Sequence, residues 1–336
     1  MIDLHLHLDG SLAPQDLPRL ANLSGTVLPT QDPDALQALL TVEPTCTDLG
    51  EYLQKFDLPL QVLQSESALK WAVYRLIERL AQQGLCYAEI RFAPQSHRQK
   101  GLDQGQVVAA AVTGLQRGVR EFGLPAQLIL CCMRGQDNQQ ENLETLHQAQ
   151  KWYGRGVCGL DLAGNEAAWP TADYEPLFRQ AALSGIPFVL HAGEAAGPQN
   201  VWDALHMGAR RIGHGIHAVQ DPALVAELQR RRIPLELCFT SNLQTRGVHS
   251  PADFPLVHFV QAGVPVTVNT DNMTVSGTTL RREYRLLRDQ FGLSVQQLEQ
   301  LALTSADCAM LAPARRAELK ARIRRDFAAW LGGMDQ

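Results

Sequence analysis

The chain has 336 residues, 45% of them hydrophobic and 19% charged, which supplies ample core for a globular α/β protein and excludes a disordered or fibrous chain. A net charge of −5 and a pI near 6.1 argue against a nucleic-acid surface, because the only dense basic runs, Arg230-Arg231-Arg232 and Arg322 to Arg325, fall on stretches read as solvated helix faces. No apolar run reaches 18 residues and the opening Met-Ile-Asp carries neither a basic nor an apolar signal region, so a cytoplasmic protein without membrane contact is expected.

The first predicted element runs from Ile2 to Leu8. Polar and apolar residues alternate from Asp3 to Asp9, and the period of two sends His5 and His7 to one face, near the point where Gly10 ends the strand. Residues Ser11 to Thr47 read as mixed, with helical pieces near Gln15 to Leu23 and Pro33 to Leu40. Between Leu49 and Leu63, apolar side chains at Leu49, Tyr52, Leu53 and Phe56 form an i, i+3, i+4, i+7 face, the mark of a short helix that packs inward or forms part of a lid.

From residue 66 the pattern becomes regular. Amphipathic helices are expected at about 66–84, 104–123, 139–153, 173–184, 199–208, 221–231, 251–262 and 278–291. Between them lie runs rich in Val, Ile, Leu and Cys: Cys86 to Phe92, Gln127 to Met133, Val157 to Ala163, Pro187 to Ala192, Arg211 to His214, Pro234 to Phe239 and Pro265 to Thr270. With the first strand these make eight near-continuous apolar strands, which favours a single (β/α)8 barrel over residues 1–336 rather than a doubly wound sheet. Val295 to Trp330 reads as two further C-terminal helices outside the barrel. Of seven cysteines, Cys86, Cys131, Cys132, Cys158 and Cys238 fall in the apolar runs, so reduced core thiols are expected; without a Cys-x-x-Cys pair a thiolate zinc site has no support.

In such a barrel the site lies at the C-terminal ends of the strands. Strand one ends in His5, His7 and Asp9, strand five in His191-Ala192-Gly193-Glu194, strand six in Gly213-His214-Gly215, and strand eight in Asn269-Thr270-Asp271-Asn272. His5, His7, His191 and Asp271 offer three imidazoles and a carboxylate, a nitrogen-rich set suited to zinc ahead of iron or cobalt. Such an ion brings the pKa of its water from about 15.7 to about 7. Glu194, beyond a glycine that permits a tight turn, can enter the same cavity and act as general acid once burial raises its pKa. His214 is placed to orient or deprotonate the attacking water. His97, His147, His206, His217, His249 and His258 lie on helices or loops and are expected to be structural or exposed. Nucleophile-elbow, phosphate-loop and dinucleotide-binding motifs are absent, as is the His-x-Glu with Pro-Cys-x-x-Cys signature of cytidine-type deaminases.

The segments HLHLDGSL (5–12), DLAGNE (161–166), HAGEAAGP (191–198), RIGHGIHA (211–218), TSNLQT (240–245) and NTDN (269–272) together resemble the adenosine deaminases of the amidohydrolase superfamily. EYLQKFDLPL (51–60), EIRFAPQ (89–95) and CCMR (131–134) extend the likeness along the whole chain. The resemblance implies zinc-dependent hydrolysis of the 6-amino group of adenosine and deoxyadenosine, with one zinc ion on His5, His7, His191 and Asp271. It also implies that Glu194 protonates purine N1 while His214 and Asp271 hold the attacking hydroxide. Gly164 is implied to meet N3, Asp9 the ribose hydroxyl, and Tyr52, Leu53 and Phe56 to form a hydrophobic gate; His7 and Asn272 border the substrate. Two departures stand out. Asn272 takes the place of an Asp common in the family, where its amide donates to N7 without needing a proton, and Asn165 replaces an Asp common after Asp-Leu-Ala-Gly. Adenine deaminases usually carry Glu where Asp9 stands, which favours a nucleoside over the free base, with adenine or a modified nucleoside as the alternative and a non-catalytic metal-binding barrel as a remote one. Two-metal relatives use a carboxylated lysine at a middle strand end, and Lys55, Lys70, Lys100, Lys151 and Lys320 do not fall there, so one metal is expected.

Overall fold

Eight short parallel strands carry the chain: β1 (Ile2–His7), β2 (Tyr87–Phe92), β3 (Ala126–Met133), β4 (Val157–Ala163), β5 (Val189–Ala192), β6 (Arg211–His214), β7 (Leu235–Leu237) and β8 (Val266–Val268). A computed structural model describes residues 1–334; the last two positions of the expected 1–336 unit lie outside the described residues. The strands form two four-stranded sheets, β1-β2-β3-β4 and β5-β6-β7-β8. Backbone hydrogen bonds join them at both seams. Leu160 N–H donates to the Pro187 carbonyl at 3.0 Å; across the other seam His7 N–H donates to the Asp271 carbonyl and Asp271 N–H to the His5 carbonyl, both at 2.8 Å. The eight strands therefore make a ring whose members are buried on both faces, as their near-continuous apolar composition requires.

Helices cover the outside of the ring. Glu66–Gln82, Gln104–Phe122, Gln139–Trp152, Glu175–Leu183, Pro198–Met207, Pro222–Arg231, Leu256–Gln261 and Leu280–Phe291 follow the strands in turn. Val295–Cys308 and Pro313–Gly332 add two more outside, as expected. None of these is long and apolar enough to cross a membrane. Caps explain several boundaries: Asp103 and Gln106 form a capping box on the second helix, which ends at Gly123 in the left-handed region.

Four expectations need correction. The first strand stops at His7 because Leu8 is helical (φ −60°, ψ −54°) and Asp9–Ser11 is a 3-10 turn, so Asp9 does not share the strand's alternation. The stretch from Leu49 breaks into Leu49–Leu53, a 3-10 turn Gln54–Phe56 and Asp57–Val62, because the Pro59 ring blocks a helix running through from Lys55. Strand seven ends at Leu237, and Phe239 opens a helix to Gln244. The Asn242 side chain accepts the Cys238 N–H at 3.4 Å while its own N–H donates to the Cys238 carbonyl at 2.8 Å, which turns the chain off the sheet. Only Leu256–Gln261 of the expected helix at 251–262 is α-helical, since residues 251–253 form a 3-10 turn.

The seven cysteines are free thiols, six of them buried. The barrel interior holds an ion network as well as apolar side chains. Arg91 donates to Asp161 at 2.7 Å, to Glu236 at 2.9 Å and to the Leu4 carbonyl at 2.7 Å. Arg211 donates to Glu236 and Glu89, each at 2.5 Å.

Candidate active site

The β8–β1 seam brings the outer donors together. His5 and His7 leave β1 two residues apart, and Asp271 is paired to both through its backbone. Asp271 and His214 hold φ of 59°, a conformation L residues rarely adopt, so the fold fixes two polar side chains at the cost of local strain. Gly213 allows the crowding beneath them: a Cβ there would lie 3.1 Å from the His5 ring and 3.1 Å from the His191 Cα.

The donor atoms are spaced as a metal needs. His7 Nε2 lies 3.3 Å from His191 Nε2, and Asp271 Oδ1 lies 3.4 Å from both His5 Nε2 and His7 Nε2. A tetrahedral zinc site with bonds of about 2.0–2.1 Å requires ligand atoms about 3.3–3.4 Å apart. His5 Nε2 is buried with no hydrogen-bond partner among the described residues, as expected of a lone pair aimed at a cation. His5, His191, His214 and Asp271 also present donor atoms all within 4.8 Å of one another, so His214 stands at the edge of the same nest. The described residues thus include a His/Asp group able to bind a metal.

The far sides of the His5 and His191 rings are anchored. His5 Nδ1 meets Glu236 at 2.8 Å, and His191 Nδ1 meets both oxygens of Asp161 at 2.9 and 3.0 Å. A carboxylate accepting at Nδ1 fixes the tautomer that leaves Nε2 free to ligate. Burial would raise the Asp161 and Glu236 carboxyls, but His191 and Arg91 hold the first, and Arg91 and Arg211 the second, below the usual carboxylate range. Burial lowers His7 and His191, keeping them neutral ligands.

Glu194 and His214 face the nest from β5 and β6. Glu194 is buried, with its carboxyl 3.5 Å from His214 Nε2. Burial, then the charges of Asp271 and Glu166, pushes its pKa well above the usual value, which favours the acid form. The Asn242 amide nitrogen lies 3.0 Å from His214 Nδ1, and the amide is oriented by its oxygen accepting Cys238 N–H. His214 Nδ1 therefore accepts, and Nε2 carries the ring proton toward the site. Asp271 Oδ2 accepts from Ser241 Oγ at 2.6 Å.

Above these groups opens a cavity of about 210 Å³. Leu49, Tyr52, Leu53, Phe56 and Leu60 line one wall, so the apolar stripe read as packing or lid borders the site directly. Its polar end holds His7, His191, Glu194, His214, Asp271 and Asn272; Asp9, Gly164 and Cys131 line the remainder. Asp9 Oδ1 is buried without a hydrogen-bond partner among the described residues, and burial raises its pKa to about 6. Asn272 packs its Oδ1 against Gly10, where an added Cβ would come within 1.9 Å. Every expected site residue thus borders this cavity except His5, whose Nε2 belongs to the nest but does not line the cavity. Asn165 does not: its Oδ1 accepts from the N–H groups of Ala167 and Ala168 and shapes a turn. His97, expected to be structural or exposed, is fully buried against Phe92.

Sequence reasoning assigned no role to Asp161, Glu236, Arg91, Glu166, Ser241 or Asn242. The available signal was charge inside otherwise apolar strands, at Glu89, Arg91, Asp161 and Glu236, since a charge on a buried strand needs a partner.

A ring of parallel strands that gathers imidazoles and a carboxylate at its C-terminal mouth has the layout of a (β/α)8-barrel enzyme. The sequence model of the family described as adenosine deaminase matches residues 1–326, and the chain belongs to this family. An adenosine deaminase of Haemophilus ducreyi is 48% identical over 331 residues, 97% of this chain and 96% of that protein. Another, of Enterococcus faecalis, is 41% identical over 326 residues, again 97% and 96%. Among solved structures, the adenine deaminase of Arthrobacter aurescens superimposes with a TM-score of 0.89 at 29% identity, covering 97% of this chain and 98% of that one.

Proposed function

We propose that the protein is a cytoplasmic hydrolase that converts adenosine and deoxyadenosine, with water, to inosine or deoxyinosine and ammonia, the whole chain serving as one catalytic unit. The observation that carries this reading is the placement of a buried Glu194, its carboxyl 3.5 Å from His214, beside the His/Asp nest at the polar end of the cavity. His5, His7, His191 and Asp271 would hold one ion, and their three nitrogens and one carboxylate suit zinc. When bound, that ion supplies a Lewis acid able to acidify water at neutral pH.

The chain's own residues do the rest. Glu194 donates its proton to purine N1, drawing electrons from C6 as water adds there; one proton of that water passes to the amino group, which departs as ammonia, and the other restores Glu194. His214, whose Nε2–H points into the site, orients the attacking oxygen, and Asp271 is fixed on it by Ser241. The Gly164 N–H meets N3, and the Asn272 amide nitrogen, turned away from Gly10, donates to N7. Asp9 offers its unpartnered oxygen to a ribose hydroxyl. The apolar wall from Leu49 to Leu60 excludes water, which strengthens these contacts. Because Glu194 acts in its acid form and its pKa is raised, kcat falls as pH rises through that value and is retained below it.

Free adenine is the second reading, favoured by the likeness to the Arthrobacter adenine deaminase. Side-by-side kcat/KM values for adenosine, deoxyadenosine and adenine on the zinc-loaded protein, followed by ammonia release, decide between them. Absence of adenosine turnover with metal bound would overturn the leading reading. Six buried thiols support a reducing compartment.

A further inference from the structure

Glu166 lies in the loop after β4, outside the cavity, and is only 2% exposed. Its carboxylate accepts four consecutive backbone N–H groups: Gly193 on Oε1 at 2.6 Å, and Glu194, Ala195 and Ala196 on Oε2 at 2.9, 3.0 and 3.2 Å. Four converging amides form a concave anion site, here filled by a side chain of the same protein. Gly193 makes the turn possible with φ of 70°, and a Cβ there would lie 2.6 Å from Val201. The other end of the segment is held as well. Arg134 donates to the His191 carbonyl at 2.6 Å and to Thr171 Oγ1 and the Trp169 carbonyl at 3.0 and 2.6 Å.

The six residues from His191 to Ala196 carry a candidate metal ligand at one end and the candidate proton donor in the middle. Both are attached to one backbone, held by a cation on its carbonyl side and an anion on its N–H side. Charge-assisted hydrogen bonds are about twice as strong as neutral ones, and their geometry is correspondingly narrow. A buried carboxylate with no ion-pair partner among the described residues is a costly way to close an ordinary turn. We propose that Glu166 is a positioning residue: through the backbone of Gly193–Ala196 it fixes the Glu194 carboxyl where the proton must be delivered. The proposal rests on the reading of Glu194 as proton donor.

Glu166→Gln keeps the size but replaces one accepting oxygen with a donor, so at least one of the two oxygens' bonds to the turn is lost. Glu166→Asp keeps the charge at a shorter reach. In the full-length, zinc-loaded protein, the amides of residues 193–196 in Glu166→Gln should exchange hydrogen about tenfold faster or more. Its kcat for adenosine should fall about 10- to 100-fold, the range expected for a displaced catalytic group, with KM within about threefold and metal still bound. Glu166→Asp should recover part of kcat, and it carries the test alone if the Gln variant does not fold. A purely structural role predicts lower thermal stability and lost metal with kcat per metal-loaded molecule unchanged, and that result overturns the proposal. Unchanged exchange at residues 193–196 also overturns it. If the parent protein itself fails to turn over adenosine, the functional reading falls, while the exchange experiment still tests the clamp.

Discussion

Glu194 and His191 stand three residues apart, yet their substitutions separate two kinds of failure. Glu194→Gln keeps the nest intact, so bound zinc should stay at one per chain while kcat falls about 10²- to 10⁴-fold, the usual span for a lost general acid. His191→Ala removes a ligand and should lose metal and activity together, measurable by elemental analysis beside the rate. Asp161→Asn is subtler: His191 keeps its ring but loses the carboxylate at 2.9 Å, and metal affinity should drop about 10- to 100-fold in a chelator competition. The histidines and Asp271 were legible in the sequence because polar residues end otherwise apolar strands. Asp161 and Glu236 were not, because their partners lie 30 and 231 residues away and only the ring brings them together.

At the scale of elements, periodicity located the long helices to within about two residues at most ends, since their caps and apolar stripes are local signals. The short elements near the site were harder. Phe239 continues the apolar run of β7 yet opens a helix, because the Asn242 side chain and backbone N–H fold back on Cys238. Asp9 reached the cavity by a 3-10 turn rather than by the alternation that suggested it. The outer helices are packed without slack. Gly114 of Gln104–Phe122 sits against Glu66–Gln82, where a Cβ would lie 2.4 Å from the Lys70 carbonyl oxygen. Gly114→Ala should therefore destabilise the protein by about 1–3 kcal/mol in denaturant unfolding, despite the better helix propensity of Ala, and leave kcat unchanged.

The whole molecule is organised around charge buried in its centre. Arg91 and Arg211, both fully enclosed, tie β2, β4, β6 and β7 through Glu89, Asp161 and Glu236. Removing one partner leaves the others uncompensated, so Arg211→Met should cost about 3–5 kcal/mol of unfolding free energy. Since Glu236 also holds His5, the same variant should bind zinc more weakly, detectable by chelator titration. The seam between β8 and β1 adds a temporal dimension. Translation delivers His5 and His7 first and Asp271 only after most of the chain has left the ribosome, so a growing chain carries two imidazoles on an apolar strand that has no neighbour on one side. Ion capture at full strength then waits for residue 271 to arrive and seal that edge, and a message broken before that point yields a fragment that presents a sticky strand instead of an enzyme.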